Sequence, residues 1–148
     1  RIGAGVALAG WVEHSKLQAR LACADVLGFP SIREFVGGVV LEAMALGVVP
    51  LVVSYGGPGE LVTKGTGFAV PIGPRHSIIA ELRRTLEHLI ANPAALSALS
   101  ERAQARAFGL FTWDAKADQI HEVYRWVLGE RAGKPEFAWE DAPLAGAA

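Results

Sequence analysis

The 148-residue chain is predicted to be an α/β protein in which a parallel sheet lies between layers of helix. Short apolar runs alternate with segments whose apolar residues recur at helical spacing. Val48 to Val53 is apolar on both faces, as suits a strand buried in a parallel sheet and not the edge of an antiparallel one. Glycine-rich junctions, Gly37-Gly38 and Gly56-Gly57-Pro58-Gly59, separate these segments at the points where one element gives way to the next.

The elements follow in chain order. Val6-Ala7-Leu8-Ala9 is a short apolar run stopped by Gly10 and reads as a strand. Leu17 and Leu21 place a helix over Ser15 to Cys23. Ala24 to Phe29 is a second strand, ended by Pro30-Ser31, and the Gly37-Gly38 pair opens a helix through Leu46 with Gly47 at its C-terminus. Val48 to Val53 is the buried strand, Gly56 to Gly59 a turn-rich loop, and Gly65 to Pro71 one more short strand. Ile78, Ile79, Leu82, Leu86, Leu89 and Ile90 step around one face of a helix from His76 to Ile90, which should cover the sheet. Asn92-Pro93 ends it and starts another helix to about Ala107. Phe108 to Trp113 reads as a loop, and Asp114 as the cap of a last helix to Leu128. Residues 1–128 form the expected domain, and 129–148, without periodicity, a loose tail. No internal repeat is present.

Composition narrows the function. A formal net charge of -1 lacks the clustered cations that neutralise many phosphates of a nucleic acid, yet leaves a mononucleotide open. The single cysteine, Cys23, cannot form an intrachain disulfide, and its apolar neighbours suggest a small buried hydrophobe. No apolar run approaches the roughly 18 residues of a membrane span, and residues 1–10 are too short and wrongly patterned for a signal peptide, so a cytoplasmic location is expected.

The chemistry concentrates between Pro30 and Gly47. Glu34 precedes the glycine loop, and Glu42 stands eight positions later in the helix that follows. Two carboxylates therefore flank one helix N-terminus, where unpaired N–H groups and the helix dipole favour an anionic or hydroxyl-rich ligand that glycine lets approach. In an open parallel sheet such a ligand lies beyond the C-terminal ends of the strands, the edge expected to hold both Glu34 and the Gly56 to Gly59 loop. Glu42 lies between Leu41 and Ala43-Met44, where an unpartnered carboxylate would cost desolvation. Structural readings stand beside these: the glycines as turn formers, Arg33 as an ion-pair partner of Glu34, Trp11 as a packing residue. Trp113, Tyr124 and Trp126 read as helix-packing aromatics. His14, His76, His88 and His121 read as surface or structural residues, with His14 alone near a cleft edge.

The glutamate, seven residues, glutamate spacing is followed by Ala43-Met44-Ala45-x-Gly47-x-x-Pro50 and then by Gly56-Gly57-Pro58-Gly59-Glu60-Leu61-Val62. This pattern resembles the C-terminal domain of the family 4 retaining glycosyltransferases, glycosyl transferases group 1. Gly10-Trp11-Val12, Ala24-Asp25-Val26, Pro30-Ser31, Gly65-Thr66-Gly67-Phe68 and Phe111-Thr112-Trp113 keep that family's order, so the resemblance covers roughly Val6 to Leu128. It implies a GT-B architecture: two Rossmann-like domains facing across a cleft, the C-terminal one holding a nucleoside-diphosphate sugar. By the same resemblance Glu34, the catalytic candidate, meets hydroxyls of the transferred sugar, and Glu42 the two ribose hydroxyls. The backbone of Val36, Gly37, Gly38 and Val39 would lie along the sugar and diphosphate, while Gly10, Trp11, Pro30 and Ser31 would border base and ribose. Neither a metal nor another cofactor is implied, and transfer with retention is implied to follow a front-face course.

Two departures qualify the match. Val36 stands where relatives read glycine, and a β-branched residue there would disfavour a positive φ. The family's diphosphate-gripping arginine and lysine lie upstream of this chain's start, leaving Arg1 on that side. The N-terminal domain and at least the first strand of the donor domain are expected to lie outside the chain, as in a fragment, a truncated reading frame or a divided gene product. The expected partners are thus a nucleotide-sugar donor and the missing domain or its separate chain, with no nucleic acid. Any peripheral membrane association would come through that domain. The competing readings are a degenerate, non-catalytic nucleotide-sugar or partner-binding module and a sugar-nucleotide 2-epimerase.

Overall fold

Three strands, β1 (Val26–Phe29), β2 (Val49–Ser54) and β3 (Phe68–Pro71), form one parallel sheet in the order β1-β2-β3. The computed structural model describes residues 5–137. Val26 pairs with Val49 across the first ladder and Leu51 with Phe68 across the second. Helix α1 (His14–Leu21) precedes β1, α2 (Gly38–Ala45) and α3 (Gly56–Leu61) cross over between strands, and α4 (Arg75–Ala91), α5 (Ala94–Leu110) and α6 (Trp113–Val127) follow β3.

The apolar run of β2 is central because both of its faces are covered: Val49 through Val53 are all buried. Alternate residues point to opposite faces. Val52 packs with Val40 and Met44 of α2, Ala103 and Ala107 of α5, and Leu61 and Val62. Leu51 and Val53 pack on the other side with Val70 and with Ile78 of α4. Each such buried aliphatic side chain contributes about 1.5–3 kcal/mol, so β2 joins both cores. Pro50, unusual in a central strand, removes no ladder bond here. The Val49 amide donates to Asp25 on the β1 side, so the next nitrogen faces β3, whose pairing begins only at Leu51. Arg106 of α5, itself buried, donates from Nε to the Leu61 carbonyl at 3.0 Å, and Arg102 to that of Gly65 at 2.6 Å. The two arginines pin the α3–β3 connection against α5.

Several expectations are corrected. Val6 to Ala9 is not a strand: Val6 and Leu8 are exposed, and four apolar residues do not make a strand without a neighbour to pair with. The Gly56 to Gly59 loop is the first part of helix α3, because Tyr55 leaves β2 extended and Pro58 takes an early helical position, where its missing N–H is not needed. Helix α5 continues to Leu110, which shrinks the expected loop to Phe111-Thr112. Thr112, not Asp114, caps α6, accepting from the Ala115 amide at 3.2 Å. Cys23 is exposed, its thiol donating to the Ala19 carbonyl, since α1 buries none of its residues. Ile78 and Leu89 of α4 are buried, but Ile79, Leu86 and Ile90 are exposed, so the helix covers the sheet with a narrower stripe than its apolar positions suggest. Trp113 and Tyr124 are likewise exposed rather than packed.

Arg131, just beyond α6, and Arg125 of α6 both bond Glu122 of α6 and hold its carboxyl below the usual carboxylate range. Arg1 and residues 138–148 of the expected tail lie outside the described residues. Among the described residues, no helix is long and apolar enough to cross a membrane.

Candidate functional site

Glu34 stands in the loop that follows β1, and its side chain folds back onto that loop. Oε1 accepts from the Phe35 amide at 3.0 Å and from the Gly37 amide at 3.4 Å. Among the described residues Oε2 makes no hydrogen bond, so one oxygen shapes the loop and the other takes no part in it. The ion pair expected between Arg33 and Glu34 does not form.

Gly37 ends the loop as the N-cap of α2 with φ +72°. That left-handed conformation is costly for any residue with a Cβ, and a Cβ here would also stand 2.7 Å from Cγ of Pro58. The α2 N-terminus carries no side-chain cap, which leaves first-turn N–H groups for solvent or a ligand. Gly38 is exposed with nothing within 4 Å of where a Cβ would stand, and Val39 follows it half-buried. Val36 is exposed and its φ is not positive, so valine enters this loop without the strain its position suggested.

The start of α3 presses against the same loop. The Gly57 amide donates to the Phe35 carbonyl at 3.0 Å, and a Cβ on Gly57 would lie 2.4 Å from that oxygen. Glu34, the α2 N-terminus and the glycines of α3 therefore meet at the C-terminal ends of β1 and β2, with Pro30 and Ser31 on the same edge directly after β1.

Glu42 lies one turn into α2 from Gly38, about 6 Å along the axis and on the same face. Its Oε2 meets Nε2 of His14 at 3.2 Å. The partner that a carboxylate in this apolar segment requires is thus a residue 28 positions away in the chain, which no local spacing could reveal. Glu42 remains 39% exposed on its side chain, and an open groove of about 220 Å³ beside it is lined by Leu41, Ala45, Phe108 and Phe111. Gly10 and Trp11 are exposed in the segment that leads into α1, with Trp11 90% exposed. They precede His14, the α1 residue that meets Glu42. Among the described residues no group of three or more His, Cys, Asp or Glu stands together in a metal-holding arrangement.

Comparison with known proteins agrees with this architecture. The model of the family described as "Glycosyl transferases group 1" matches residues 1–106. D-inositol 3-phosphate glycosyltransferase of Kineococcus radiotolerans is 34% identical over 138 residues, covering 87% of this chain and 31% of the relative. Glycogen synthase of Mycobacterium tuberculosis is 37% identical over 131 residues, covering 86% and 30%. Among solved structures, sucrose-phosphate synthase from Thermosynechococcus elongatus superposes with a TM-score of 0.67 at 28% identity, covering 87% of this chain and 32% of that one. Anabaena HepE in complex with UDP and glucose gives 0.59 at 28% identity, covering 76% and 29%. The chain thus spans about a third of the length of these relatives. With its parallel three-stranded sheet, its flanking helices and a family match over most of its length, the chain belongs to the glycosyl transferases group 1 family.

Proposed function

We propose that this chain supplies the donor-binding half of a retaining glycosyltransferase that moves a sugar from a nucleoside diphosphate to a sugar or lipid acceptor. The observation that carries the reading is the placement of Glu34 and Glu42 on either side of the uncapped, glycine-opened N-terminus of α2, at the C-terminal edge of a parallel sheet. Diphosphate oxygens suit the first-turn N–H groups of Gly38 and Val39. Paired ribose hydroxyls suit Glu42, because a carboxylate offers about four lone-pair positions. The oxygen of Glu34 not bonded to the loop suits hydroxyls of the transferred sugar near the reacting face. The leaving phosphate and the acceptor hydroxyl then meet on one face of the sugar, which retains configuration, and the helix N-terminus stabilises charge on the leaving group. No protein-held metal takes part in this reading. The acceptor side of the cleft belongs to a second domain, in the same polypeptide or another.

Calorimetric titration with UDP, GDP and ADP tests the reading. Saturable binding of one nucleotide, weakened by about 1–3 kcal/mol in Glu42→Ala as for a lost charge-assisted hydrogen bond, is expected. A folded chain that binds none of the three overturns it.

A further inference from the structure

The contact between His14 and Glu42 joins two elements of unequal firmness. Helix α2 is anchored by Val40, Ala43 and Met44, all fully buried, whereas α1 buries none of its residues. Both side chains of the pair are partly exposed, 66% for His14 and 39% for Glu42. A glutamate so exposed keeps much of its rotamer freedom unless something holds it, and a ligand that must freeze it binds more weakly for that reason. His14 Nε2 occupies Oε2 alone, so the remaining lone pairs, including those of Oε1, stay open to a ligand.

We infer that His14 is a positioning residue for the nucleotide site, orienting the Glu42 carboxylate toward ligand hydroxyls and seating α1, with the Gly10-Trp11 segment before it, against α2. This inference rests on the reading of Glu42 as the acceptor for ribose hydroxyls. The imidazole acts with the ligand and not against it, since one donor and two hydroxyls fit the carboxylate together. His14 touches no reacting atom. Its effect passes through Glu42 and is therefore specific to the hydroxyls that Glu42 receives.

A double-mutant cycle on the 148-residue chain tests this. It uses whichever of UDP, GDP and ADP binds best, together with that nucleotide's 2′-deoxy form, and circular dichroism confirms that each variant is folded. His14→Ala is expected to weaken the ribonucleotide about three- to tenfold, as for one exposed hydrogen bond, and to shrink the preference for ribo- over 2′-deoxynucleotide. His14→Gln, which keeps an N–H donor, is expected to restore most of both. In the Glu42→Ala background the same change is expected to have no further effect. If Glu42→Ala weakens binding but His14→Ala does not, or if the two losses simply add, the role of His14 is overturned while the donor site stands. Weakening of both sugar forms alike by His14→Ala also overturns it, since that marks a merely structural residue. No effect of Glu42→Ala overturns the site reading, and this inference with it.

Discussion

Gly37 bears two demands at once, a φ of +72° and a neighbouring proline ring where a Cβ would stand. Gly37→Ala is expected to lower stability by about 1–3 kcal/mol, read as a shift of the urea midpoint with the slope unchanged. Glu34 holds its loop through one carboxylate oxygen, and substitutions test that hold. Glu34→Ala removes the acceptor of the Phe35 and Gly37 amides and is expected to cost about 1 kcal/mol, whereas Glu34→Gln keeps an oxygen for them and should unfold close to the parent. Failure of Gln to recover the loss would show that the charge, and not the acceptor, holds the loop. At this scale the sequence was partly legible. The spacing of Glu34 and Glu42 and the glycines between them are local, so they could be read from the residues alone. The His14 partner of Glu42 and the Pro58 that crowds Gly37 come from distant segments and become visible only when the chain is folded.

Among the elements, those with a strong period and enough length were read well: α4 within a residue at each end, and β2 from its unbroken apolar run. Helix α3 was missed because Gly-Gly-Pro-Gly is turn chemistry by propensity. Its helical form depends on tertiary support, since it must bring Gly57 within hydrogen-bonding distance of Phe35, which larger residues would prevent. Part of that support comes from α5. Arg106→Leu would leave the Leu61 carbonyl without its Nε donor and lose the guanidinium that lies over the Phe111 ring. A destabilisation of about 2–4 kcal/mol is expected in chemical denaturation. A loss within 0.5 kcal/mol would mean that α3 is held by its packing alone.

Over the whole molecule, the two apolar clusters share β2 and are therefore expected to unfold together. Hydrogen exchange should find the β2 amides the slowest, exchanging by opening of the entire described fold, while Gly5 to Trp11, exposed and without regular structure, exchanges by local opening. Slow exchange confined to α4 or to α5, with β2 fast, would instead mean that the two faces are separate cooperative units.

The order of the strands in the sheet is also their order along the chain. During synthesis each strand therefore meets a partner made before it, and no pairing waits for a distant later segment. What does wait is the cover: the face of β2 that carries Val52 stays incomplete until Ala103 and Ala107 of α5 emerge, about fifty residues after it, or several seconds at ordinary translation rates. The interval between the sheet's assembly and its burial is when a nascent chain of this design is most open to chaperones and to wrong partners.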